Sequence, residues 1–203
     1  MTRLLLFFLL LSETLLCSCN NIDSYQYKIK KIKEDTTNKK VSFFENGLIH
    51  EVIDKSRDTL FVGSMFEFDK LKHLKEYAFL CNSIKASYIE HFNDKGKMTL
   101  AEGKPIVYCF TTPDFAKDSM FMKRYVSTFS YKNVEVETAG LDGKFTKANL
   151  NDEPNLSFIK SFQTYRNVKD AKRFVFITKF SGRRIDNDSL EIFYDTIDVT
   201  RRE

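Results

Sequence analysis

Between Val41 and Thr200 the chain is written almost entirely in two-residue alternation. "VSFFE", "DTLFVGSMFEF", "EYAFLCNSI", "ASYIEHF", "PIVYCFTT" and "RYVSTFSY" set Phe, Tyr, Val or Ile against polar neighbours. "VEVETA", "LSFIKSFQTY", "RFVFITKF" and "LEIFYDTIDVT" continue the pattern. Successive side chains leave a strand on opposite faces, so alternation with aromatic and β-branched enrichment specifies strands buried on one face. One segment of any length shows helical spacing. It is "FDKLKHLKEYAFL", where Leu71, Leu74 and Ala78 fall three and four apart, and it reads equally as a charged connector entering a strand.

Turn chemistry divides these runs into hairpins. Glu45-Asn46-Gly47, Asn93-Asp94-Lys95-Gly96 and Asp142-Gly143 stand between strand-like segments, and glycine relieves the positive φ of such turns. Their flanks do not repeat. Pro105, in "AEGKPIVY", marks a boundary, and about seven strand candidates follow it, the number an immunoglobulin-like sandwich uses. The expected fold is mostly β: antiparallel hairpins over 41–102, then an immunoglobulin-like β-sandwich over 103–203. With no Trp in the chain, the Cys…Trp…Cys core of antibody domains is absent, and the sandwich rests on pattern alone.

The amino end obeys a different rule. "MTRLLLFFLLLSETLLCSCNN" has a basic start at Arg3, an apolar run from Leu4 to Leu11 and a small-residue exit. That run is far short of the roughly 18 apolar residues that cross a bilayer, and the layout is that of a secretory signal. "Leu16-Cys17-Ser18-Cys19" resembles the lipobox of bacterial lipoproteins, with Leu at −3, a small residue at −1 and Cys at +1. The resemblance implies removal of residues 1–18, diacylglycerol on the Cys19 thiol and acylation of the new amino terminus. Cys17 at −2 and Glu13 near the apolar centre depart from the pattern, and Cys17 itself is the competing site. Residues 19–40 read as a polar tether, although "SYQYKIKKI" alternates enough for a strand. "FFENGLIHEV" also resembles one unit of the Tyr/Phe-Asn-Gly hairpin repeats of some bacterial envelope proteins. An acylated chain is anchored to its membrane, because each buried methylene contributes about 0.8 kcal/mol, and the membrane expected from the resemblance is the outer one.

Charge and cysteine usage narrow the partners. The net charge of +4 is unchanged by loss of Arg3 and Glu13, and the lysines of "KIKKIKEDTTNKK" are answered by Glu34 and Asp35. A nucleic-acid partner is not expected; the membrane, through the lipid, and other envelope proteins are. Cys81 and Cys109 remain in an oxidising compartment, where they read as a bridge or as two buried thiols. A three-strand meander over 76–111 would hold their strands two spacings apart, too far to bridge.

No catalytic constellation emerges. His50, His73 and His91 share no H-x-H or H-x-x-H spacing, and Glu90 and His91 are strand neighbours that point to opposite faces. Asp186-Asn187-Asp188 and Asn151-Asp152-Glu153 lack the spaced ligands and glycine of a calcium loop. Neither G-x-S-x-G nor G-x-x-x-x-G-K-[ST] occurs. Catalytic, cofactor and metal residues are therefore assigned as none, and Cys19, for lipidation, is the one site residue. The expected role is a non-catalytic, protein-binding or accessory envelope lipoprotein. The alternative is a small-ligand or glycan binder, which an exposed cluster of Tyr25, Tyr27 and Tyr165 would favour.

Overall fold

Alternating strands bury their apolar rows only against another layer, and the layers here come from three antiparallel sheets. A computed structural model describes residues 26–37, 39–55, 62–81, 85–110, 119–139, 143–151, 157–166 and 173–200. Strands β1 (Lys40–Phe43), β2 (Ile49–Lys55), β3 (Gly63–Phe68), β4 (Leu74–Leu80), β5 (Ala86–Phe92) and β6 (Met98–Gly103) pair in chain order as a six-stranded meander. Next come β7 (Ile106–Phe110), β8 (Ser119–Ser127), β9 (Tyr131–Ala139) and β10 (Phe145–Lys147). The chain continues through β11 (Asn149–Asn151), β12 (Phe158–Arg166), β13 (Arg173–Arg184) and β14 (Leu190–Thr200). These eight form two four-stranded sheets, ordered β11-β12-β8-β7 and β10-β9-β13-β14. In immunoglobulin lettering that is D-E-B-A facing C′-C-F-G, so the sandwich has the immunoglobulin strand order. The protein is mostly β, as the alternation requires.

The hairpin turns follow their residues. Gly47 donates its N–H to the Phe44 carbonyl at 2.9 Å, and Gly96 donates to Asn93 at 2.8 Å. Both glycines are left-handed, with φ of 78° and 72°, a region that costs other residues about 1–2 kcal/mol. The run "FDKLKHLKEYAFL" resolves as the connector. Asp69 Oδ1 accepts the Leu71 and His73 N–H groups at 2.8 Å each, closing a turn, and β4 begins at Leu74.

One continuous core joins meander and sandwich. Phe129, fully buried in the β8–β9 turn, packs 5.1 Å from the Phe66 ring and 4.6 Å from Tyr77. Phe158 lies 6.1 Å from Phe79, and the Tyr77 hydroxyl meets Ser127 Oγ at 2.7 Å. Between the sandwich sheets, Tyr165 packs tilted against Phe176, with ring centroids 4.5 Å apart, and accepts a bond from the buried Arg124 guanidinium at 2.7 Å.

Three expectations are corrected. Residues 26–34, inside the expected tether, form a helix, α1. Ile29 and Ile32 are its buried residues, and a spacing of three puts both on one helical face where strand alternation would separate them. The run "RYVSTFSY" is not one strand: β8 ends at Ser127 and β9 starts at Tyr131, because Phe129 must turn into the core between them. The meander through residues 76–111 takes β4, β5 and β6, whereas β7, which carries Cys109, crosses to the sandwich and pairs with β8. Cys81 is free, and its thiol donates to the Lys85 carbonyl at 3.1 Å.

Candidate functional site

Strand β5 sends Tyr88, Glu90 and Phe92 inward, so its alternation drives a carboxylate into the core. Glu90 is 0% exposed. A charge so placed needs an opposite charge and full hydrogen bonding. Both come from across the seam between meander and sandwich. Arg184, at the end of β13 and in phase with the buried Phe176 and Phe180, donates from Nη1 to Glu90 Oε1 at 2.6 Å. Tyr88 donates to the same oxygen at 2.8 Å, and Ser130 Oγ makes a short bond to Oε2.

The guanidinium is fully engaged. Its Nε donates to Asp186 Oδ1 at 3.1 Å, Nη2 lies 2.9 Å from Met98 Sδ, and its carbon sits 5.5 Å over the Tyr131 ring. Burial is the largest single influence and disfavours the cation, but Glu90, Asp186 and Tyr88 together outweigh it and hold Arg184 charged. The Tyr88 and Tyr131 hydroxyls meet at 2.9 Å, and Tyr131 donates onward to Glu191 at 2.7 Å. Burial, with the nearby carboxylates, pushes both phenols well above their ordinary range. From α1, Lys28 Nζ donates to the Thr128 and Phe129 carbonyls at 2.8 and 2.9 Å, clasping the turn that carries Ser130. Burial pulls this ammonium down to about 8, against an upward pull from Glu90.

Above this network lies a cavity of about 440 Å³, within the range of small-molecule sites. Four chain segments enclose it: α1 through Gln26, the β5–β6 hairpin, the β8–β9 turn through Ser130, and the β13–β14 turn. Phe92 and Met98 supply apolar wall, and Lys95 and Lys97 supply cationic wall. Neither lysine ammonium has an ion-pair partner among the described residues, because Asp94 of the same turn is taken by Lys75 at 2.5 Å.

A second surface lies on β14, an edge strand of the sandwich. Phe193 points inward, 5.7 Å from Phe180, and Asp195 is held by Lys104 at 2.7 Å. The opposite face presents Leu190, Ile192 and Tyr194, exposed at 55%, 46% and 55%.

The residues singled out by sequence are dispersed. Cys17, Cys19 and Tyr25 lie outside the described residues. Tyr27 is exposed on α1 whereas Tyr165 is buried in the sandwich, so these two do not share an aromatic platform. His50, His73 and His91 face separate carboxylates, Glu67 at 3.7 Å, Asp69 at 3.3 Å and Glu76 at 3.4 Å. Among the described residues no three metal-ligating side chains converge. Glu90 and His91 do point to opposite faces, as strand geometry demands. What the alternation did not reveal is the Glu90–Arg184 pair, although an inward Glu between Tyr88 and Phe92 signals that a buried cation must exist. No protein-family model matches the sequence, and no curated protein or solved structure is detectably similar to it.

Proposed function

We propose that this chain is a lipid-anchored protein of the cell envelope, held to the outer membrane through Cys19, with a non-catalytic role in binding another envelope protein. The exposed apolar row Leu190, Ile192 and Tyr194 carries this reading. It lies on a long strand whose outer edge is unpaired among the described residues. An exposed apolar edge of that kind templates an added strand, in which main-chain hydrogen bonds supply affinity and alternate side chains supply specificity. The occupant is an extended segment of a second envelope protein.

Two measurements test the proposal. Cys19→Ala should abolish incorporation of a fatty-acid probe; undiminished label would move the acylated residue to Cys17 or end the anchoring claim. A photoreactive phenylalanine derivative at position 194 should yield one discrete adduct in the membrane fraction, lost when Leu190→Lys is added. An adduct indifferent to Leu190→Lys, or none, would end the docking claim. The second reading, a small-ligand-binding lipoprotein, draws its support from the cavity at the seam.

A further inference from the structure

The seam cavity combines features that constrain its occupant. Its lining carries Lys95, Lys97 and Arg184 against one carboxylate, Asp186. Arg184 is committed to Glu90 and Asp186, so it contributes a fixed, largely neutralised wall. The two lysine ammoniums are uncommitted among the described residues, and both residues line the cavity on either side of the left-handed Gly96. Phe92 and Met98 offer apolar contact beneath them, and Gln26, Ser130 and Asn187 offer hydrogen-bonding groups. An uncharged apolar molecule would leave the ammoniums unanswered, and an inorganic anion would leave the apolar wall wet. A cation would face two like charges.

We propose that the cavity binds a small organic anion, with its carboxylate or equivalent group at Lys95 and Lys97 and its apolar body against Phe92 and Met98. This rests on the small-ligand reading and not on docking through β14. Because the cavity walls come from both meander and sandwich, an occupant also bridges the seam.

The probe is naphthalene-1-carboxylate, with naphthalene-1-carboxamide as its uncharged counterpart, titrated calorimetrically into the purified full chain with neutral detergent matched in cell and syringe. The carboxylate should bind saturably at one site and the carboxamide at least tenfold more weakly. Lys95→Gln and Lys97→Gln should each weaken the carboxylate about fivefold, which is about 1 kcal/mol for a charge contact in a water-like medium. The same two changes should leave carboxamide binding unaltered, and raising the salt from 50 to 500 mM should reproduce part of the loss. Both lysines are exposed, so circular dichroism should show the variants folded as the parent. Leu190→Lys should leave carboxylate binding unchanged, which separates this site from the β14 edge. Equal binding of acid and amide, indifference to both lysine changes, or no carboxylate binding up to 10 mM would overturn the proposal.

Discussion

Removing the Glu90 carboxylate should do more damage than removing any surface ion pair of this protein. In Glu90→Ala the Arg184 guanidinium loses its 2.6 Å partner, and the Tyr88 and Ser130 hydroxyls lose their acceptor. Breaking a buried pair by deleting one member costs about 3–5 kcal/mol, because the other charge stays buried. Asp186, which keeps its 3.1 Å contact to Arg184 Nε, offsets part of that, so about 3 kcal/mol is expected. Arg184→Met strands the carboxylate instead, and a cost of the same order, about 3 kcal/mol, is expected. The double variant Glu90→Ala with Arg184→Met leaves no buried charge at the pair and should lose at least about 2 kcal/mol less than the two singles together. Urea unfolding followed by circular dichroism gives all the corners of the cycle. A Glu90→Ala cost below about 1 kcal/mol, or additivity within about 0.5 kcal/mol, would refute the claim that this pair staples the seam.

Two shorter tests probe other links. An added Cβ at Gly103 would stand 2.1 Å from the Ser87 carbonyl oxygen at a φ of 87°, whereas at Gly47 it would meet nothing within 4 Å. Gly47→Ala should therefore cost about 1 kcal/mol in thermal or urea unfolding and Gly103→Ala clearly more, since the β5–β6 pairing must shift; equal costs would show that the turn tolerates the clash. Tyr77, Tyr88 and Tyr131 all have hydroxyls pushed up by burial, so their protonated state contributes stability below pH 10 that is lost as pH rises further. Absorbance titration near 295 nm should show these three silent in the native chain until it unfolds in alkali; early titration of all nine tyrosines would contradict their burial.

Period-2 alternation made the strands and their inner faces legible, since Phe66, Phe68, Phe158 and Phe176 all lie on buried faces. The change of sheet at Pro105 announced itself through a residue that cannot donate to a ladder. Helix α1 did not, because its burial rests on two isoleucines in a lysine-rich segment, too few to outvote the apparent alternation around them. Phe129 was misread for a similar reason: local pattern cannot distinguish an aromatic in a strand from one that a corner turns into a distant core. The seam was the least legible part. Its contacts join residues far apart in the chain, Lys28 with Thr128 and Glu90 with Arg184, and no window of sequence contains both members.

That separation sets an order of events in the making of the protein. Every strand of the meander pairs with its neighbour in sequence, so the six can zip as they emerge, at low cost in loop closure. The inner face they create is unfinished, however. Glu90 leaves the ribosome 94 residues before Arg184, an interval of roughly 5–20 s at ordinary elongation rates. Throughout it the Glu90 carboxylate lacks the Arg184 guanidinium that answers it in the finished fold. The last hairpin, β13–β14, brings the cation and closes the seam, so a chain truncated before Arg184 keeps an unanswered carboxylate on its meander.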